Sequence, residues 1–121
     1  MQSRAADWPP GVGEALDEVV RRIVELVRPQ AVLVFGSRAE GRAGEHSDLD
    51  LLVIADTTSP GQVTEDLYAV VADVRDGRWD EVPPFDVVVM TPAEWRHESQ
   101  LPGQLAFRAK RHGVTVHGRA A

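Results

Sequence analysis

The chain has 121 residues, 43% of them hydrophobic and 26% charged, which fits one globular domain and excludes both a disordered chain and a large two-domain enzyme. Thirteen Lys and Arg face 19 Asp and Glu, a formal net charge of −6 that argues against holding nucleic acid by bulk electrostatics. With no cysteine, disulfides, thiolate zinc sites and cysteine nucleophiles are excluded.

Residues 1–10 read as a flexible tail ending in Pro9-Pro10. Val12, Leu16, Val19, Val20, Ile23, Val24 and Val27 then recur at spacings of three and four, the apolar stripe of a helix. Pro29 stops it. Ala31 to Phe35 is a short continuous apolar run, a buried strand. Gly36 to Ser47 is rich in Gly, Ser and charge, so it reads as a loop, with or without a short helix. Asp48 to Ile54 is a second strand, and Asp56 to Gly61 a turn. Val63, Leu67, Val70, Val71 and Val74 mark a second amphipathic helix, ended by Asp76-Gly77. Pro83-Pro84 leads into a third strand, Phe85 to Met90. Thr91-Pro92 with Glu94 has the form of a helix start, and Pro102-Gly103 that of a break. Leu105 to His112 is a further helix closed by Gly113 as its C-cap, and Val114 to Val116 a last short strand. This order predicts one α+β (α/β) domain over residues 11–118, a small mixed β-sheet flanked by helices. The short link between the first two strands points to an antiparallel or mixed sheet. No apolar run reaches the roughly 20 residues of a membrane span, and the first ten residues lack a signal peptide's apolar core. A cytoplasmic location and no membrane partner are expected.

The chemistry concentrates between Phe35 and Val53. Strand side chains alternate, so Asp48 and Asp50 share one face while Leu49, Leu51 and Val53 fill the other. Two carboxylates that close repel unless a cation lies between them, and at the start of an apolar strand each costs desolvation. Oxygen ligands of this kind suit Mg²⁺. Taken alone, the pair is also consistent with a polar turn and an edge-strand charge. Gly36-Ser37 stands directly after the first strand. A Gly there lets backbone approach a ligand, and a short helix starting at Ser37 would turn its N–H groups toward a phosphate. The Ser37 hydroxyl could donate to the phosphate or cap the helix. Arg38 could assist with phosphate charge or be an ordinary surface Arg. This is no P-loop, because no Gly-Lys-Ser/Thr follows. Asp86 lies among Phe85, Val87, Val88 and Val89, where a bare carboxylate is costly unless paired or on a metal. If the third strand lies beside the second, Asp86 joins Asp48 and Asp50, and three carboxylates can hold two Mg²⁺ for phosphoryl or nucleotidyl transfer.

The run G-S-x10-D-x-D, followed by a strand Asp after a helix, resembles the nucleotidyltransferase fold related to DNA polymerase β. The short length and the placement of Gly41 and Ser47 are most similar to the minimal nucleotidyltransferase (MNT) family, as is the ending R-H-G-V-T-V-H. The resemblance covers residues 12–118, with Gly36–Val53 its specific part. It implies that Gly36, Ser37, Arg38 and Ser47 hold the nucleotide phosphates. It also implies that Asp48 and Asp50 bind both Mg²⁺ ions and that Asp86 completes the site, serving or positioning the base on the attacking hydroxyl. Glu40 departs from the pattern, since related chains often carry a basic residue there; phosphate or partner contacts at that position are open.

His46, His97, His112 and His117 have no metal-site spacing. Trp8, Trp79 and Trp95 fit core or partner contacts. Arg108, Lys110 and Arg111 fall at a helix end, where cations favour the dipole. The resemblance implies an enzyme that moves AMP from ATP to a hydroxyl of a partner protein, a HEPN-type ribonuclease toxin for which this chain would be the antitoxin. The alternatives are a binding module that masks its partner without catalysis, and a small-molecule transferase of the aminoglycoside type, which would need a second domain. No strong nucleic-acid binding is expected, and the sequence leaves the nucleotide preference, acceptor residue and oligomeric state open.

Overall fold

The apolar stripe of the first helix is realised as α1, Pro10–Val27, with Ala15, Leu16, Val19 and Ile23 fully buried. The computed structural model describes residues 10–41 and 48–120; most of the expected N-terminal tail lies outside them. α1 ends where Arg28 adopts a positive φ of 48° and Pro29 denies the chain a further helical N–H. The apolar run after it is β1, Ala31–Phe35, and its antiparallel partner is β2, Leu49–Ile54. β2 starts one residue later than the sequence implies, leaving Asp48 just outside the ladder.

α2, Pro60–Arg75, crosses from β2 to β3, Phe85–Met90, so those two strands run parallel. α3, Pro92–Glu98, opens with the expected Thr91 cap. The Thr91 hydroxyl accepts from the Glu94 N–H at 3.1 Å, and the Glu94 carboxylate accepts from the Thr91 N–H at 2.8 Å. α4, Leu105–His112, leads into β4, Val114–Gly118, which pairs antiparallel with β1 and runs two residues beyond its expected end. The sheet order is β3-β2-β1-β4, a mixed sheet.

Gly113 closes α4 as expected, but not through left-handed backbone. Its φ is −76°. A Cβ there would collide with the Ala109 carbonyl and lie 3.1 Å from that of Val34. The glycine is needed because α4 turns into β4 with its backbone pressed on β1.

Both sheet faces are covered. Leu49, Leu51, Val53, Phe85 and Val87 point toward α1 and α2 and form the larger core with Val32 and Val34. Leu52, Ile54 and Met90 point the other way, against Trp95 of α3 and Ala106 and Ala109 of α4. Trp95 is 1% exposed, whereas Trp79 is 57% exposed with the Arg75 guanidinium 4.3 Å from its ring. Trp95→Ala is therefore expected to cost about 3–5 kcal/mol and Trp79→Ala less than about 1 kcal/mol, measured as urea-unfolding free energies.

Candidate active site

The ladder register brings the candidate carboxylates together. β2 and β3 run parallel with Asp50 opposite Asp86, and paired strands lie only about 4.8 Å apart. The alternation that sends Leu49, Leu51, Phe85 and Val87 into the larger core turns Asp50 and Asp86 to the other face. Phe35, the last residue of β1, pairs with Asp50 from the other side. The turn after β1 therefore starts directly beside Asp50.

Gly36 is fixed there by two constraints. Its φ is +77°, a conformation that costs an L side chain about 1–2 kcal/mol. The space a Cβ would fill is already taken by Asp50 Oδ2. The carboxylate thus packs directly on the glycine backbone. The chain then makes one helical turn, with the Glu40 N–H donating to the Gly36 carbonyl at 3.1 Å. Ser37 is half-buried on this turn. Through Gly41 the described residues form a turn and not a regular helix. Ser47 and His46 lie outside the described residues.

Arg38 is only 7% exposed, so of the two sequence readings that of an ordinary surface Arg does not hold. Glu40 is the other departure. Its carboxylate accepts from Arg108 Nε at 2.9 Å and Nη2 at 2.7 Å, a two-pronged bridge that ties the turn to α4. The charge at position 40 is matched by a cation 68 residues away. Nothing in the local sequence signals that pairing.

Asp48 and Asp86 are exposed and Asp50 half-buried. Burial raises the Asp50 carboxyl above its ordinary range. The negative charges of Asp86 and Asp48 push it further up, as does a hydrogen bond with Asp86. Among the described residues no three Asp, Glu or His side chains are preset as a metal cage. The electrostatics nevertheless fit a cation: an oxygen-only donor set in mutual repulsion is what a hard divalent ion relieves. Mg²⁺ would be held by Asp50, with Asp48 and Asp86 as the further ligands. His97 and His112 are exposed and His117 half-buried, outside any metal grouping among the described residues.

The nucleotidyltransferase domain signature matches residues 16–110. The chain belongs to the nucleotidyltransferase-domain family. No curated protein matches it significantly in sequence. Solved structures with a similar fold include a Sulfolobus solfataricus protein described as a "putative nucleotidyltransferase", 20% identical over 88% of this chain and 79% of its own, with a TM-score of 0.53. A toxin–antitoxin crystal structure with AMP-PNP is 17% identical over 84% of this chain and 72% of its own, TM-score 0.53. A double Asp-to-Glu mutant of the toxin–antitoxin MntA-HpeT is 15% identical over 83% and 71%, TM-score 0.53. At these identities the likeness is one of fold.

In this nucleotidyltransferase fold, residues with no motif of their own position Asp86. The Tyr68 hydroxyl of α2 accepts from the Val87 N–H at 3.0 Å, on the open edge of β3. Arg75 Nε donates to the Val82 carbonyl at 3.0 Å. Arg78 donates to the Val74 carbonyl and reaches Glu18 of α1 at 3.2 Å. The segment feeding β3 is thereby bound to both α2 and α1. Cations at a helix C-terminus are a recognisable signal, but their targets are not.

Two outcomes follow from the crowding at Asp50. Because its folded-state carboxyl titrates above the ordinary value, the native state holds a proton that the unfolded chain releases. Stability therefore falls as pH rises from about 3.9 through the raised value. Metal-free Asp50→Asn should melt a few degrees above the wild type at pH 7, with the gap closing below about pH 4. Millimolar Mg²⁺ should raise the wild-type melting temperature and leave that of the variant unchanged. Gly36→Ala should lose about 1–3 kcal/mol in thermal unfolding, and the loss should shrink when combined with Asp50→Ala, which vacates the colliding oxygen.

Proposed function

We propose that this chain transfers AMP from Mg-ATP to a hydroxyl of a partner protein, and that it serves as the antitoxin of a HEPN/MNT-type toxin–antitoxin pair. One observation carries the chemistry: Asp50 sits against the Gly36 backbone and beside Asp86 on adjacent parallel strands. This brings the Gly36 turn and two carboxylates to one end of the sheet, with Asp48 alongside. The partner reading is supported by two neighbours of like fold described as toxin–antitoxin structures, one with AMP-PNP and one with a pair of Asp-to-Glu changes.

Gly36 and Ser37 would receive the triphosphate, with backbone approach permitted by the missing Cβ. Arg38 would add positive charge beside them. Asp48 and Asp50, with Asp86, would hold Mg²⁺, which when bound neutralises phosphate charge and lowers the barrier to displacement. The acceptor oxygen attacks the α-phosphorus. Its proton passes to a carboxylate, for which exposed Asp86 is placed. The bond from the α-phosphorus to the bridging oxygen breaks, and pyrophosphate leaves with that oxygen. Asp86 fits the base role because it stands opposite Asp50 yet is open to an incoming acceptor.

The test is the intact mass of the small protein that co-purifies from the native host, with wild type or with Asp48→Asn/Asp50→Asn. AMP-sized additions only with wild type are expected, the double variant losing transfer by at least about 100-fold. A partner bound equally by both and never modified would overturn transfer in favour of neutralisation by masking.

A further inference from the structure

We infer that the outer face of α4 is a docking groove for an acidic, leucine-bearing segment of a protein partner. The inference rests on the reading that the acceptor is a protein, and adds where that protein is gripped.

The groove encloses about 360 Å³ and is lined by Leu105, Phe107, Arg108, Arg111 and His112, with Gly103 at its edge. Leu105, Arg108, Arg111 and His112 recur at three- and four-residue spacing, so they share one helix face. Ala106 and Ala109 occupy the buried face. Leu105 is 42% exposed in a helix that otherwise shows solvent its charges. The Arg111 guanidinium lies 5.8 Å from the Phe107 ring centroid, close enough for the ring face to attract it.

Charge complementarity selects the occupant. The whole chain carries −6, yet α4 has no acidic residue and ends in Lys110, Arg111 and His112. Arg108 shows what this surface binds, because it already grips the Glu40 carboxylate with two N–H groups. An extended polyanion is a poorer match. Eight residues of helix span only about 12 Å, a nucleic-acid strand would meet a chain of net charge −6, and exposed Leu105 beside Arg108 offers an apolar contact that suits an aliphatic side chain. Glu40 lies three residues beyond Ser37. A partner carboxylate competing for Arg108 is therefore felt at the Gly36–Gly41 turn, where the nucleotide phosphates would lie.

The experiment is an amide-shift titration of the ¹⁵N-labelled full chain. The probes are a synthetic peptide of Glu and Leu at helical spacing, about three turns long, the same peptide with Lys for Glu, and a short single-stranded RNA. Binding of the Glu/Leu peptide is expected to move amides of residues 103–113 and 36–41. Arg111→Glu and Leu105→Glu should each weaken it by about tenfold or more, a loss of about 1.4 kcal/mol, with Arg111→Lys weakening it less. The inference is overturned if the Lys peptide binds as well, if RNA binds more tightly, if the shifts fall elsewhere, or if no peptide binds. Asp48→Asn/Asp50→Asn should bind the Glu/Leu peptide like the wild type. A wild type that docks the peptide but never transfers AMP therefore tells against the transferase reading alone, and a wild type that transfers without docking tells against the groove alone.

Discussion

Asp50 is where the rest of the structure is constrained. Its carboxylate is pressed against the backbone of Gly36, flanked by Phe35 on β1 and by Asp86 on β3. Left alone, this placement is unfavourable: burial and two like charges raise its proton affinity. The sheet must therefore be held by something other than the site. It is held by apolar cover on both faces, Leu49 and Leu51 against α1 and α2, Leu52 and Ile54 against α3 and α4. Stability is drawn from the residues that alternate with the aspartates, so a strained site is tolerated where a cation can relieve it.

The alternation explains why the strand order matters as much as the motif. Asp48 and Asp50 are neighbours in sequence, and any strand would place them together. Asp86 is brought in only because α2 carries the chain across to a parallel strand with Asp86 in register with Asp50. A slip of one residue would turn Asp86 into the larger core and Val87 outward. The register is guarded from outside by the Tyr68 hydroxyl on the Val87 N–H and by the Arg75 and Arg78 contacts that fix the segment before β3. These residues fix where Asp86 stands.

Most of the architecture was legible because it is written in local patterns. The stripe from Val12 to Val27, the run Ala31–Phe35 and the Thr91–Glu94 box each specify an element without outside help, and the elements formed where those patterns lie. Asp50 and Asp86 were legible for the same reason, as carboxylates in otherwise apolar strands. What stayed hidden depends on distant partners. Glu40 reads as an anomaly until Arg108 is seen across the fold. Arg38 stays open between a phosphate contact and a surface cation until its burial rules out the second. Gly113 looks like an ordinary helix cap, whereas its reason is the closeness of Val34 and Ala109. In each case the missing information is a tertiary contact, which spacing along the chain does not encode.

α4 is lightly anchored on its core side, and it is tied to the turn after β1. α4 contributes only Ala106 and Ala109 to the second core, small side chains that let the helix lie close to β1 but bury little apolar area. Among the described residues its other ties include the turn at Gly113 and the Arg108–Glu40 bridge. That bridge joins an exposed Arg to a carboxylate whose side chain is only 12% exposed, so the acid is the fixed partner and the cation the movable one. Drawing Arg108 away would strip that largely buried charge of a two-pronged partner, which is costly, so a change at Arg108 is felt at the turn. A helix lightly held on its core side, with its cations outward and one of them tied to the turn beside Gly36, is suited to pass a change on its outer face to the end of the sheet where Asp50 stands.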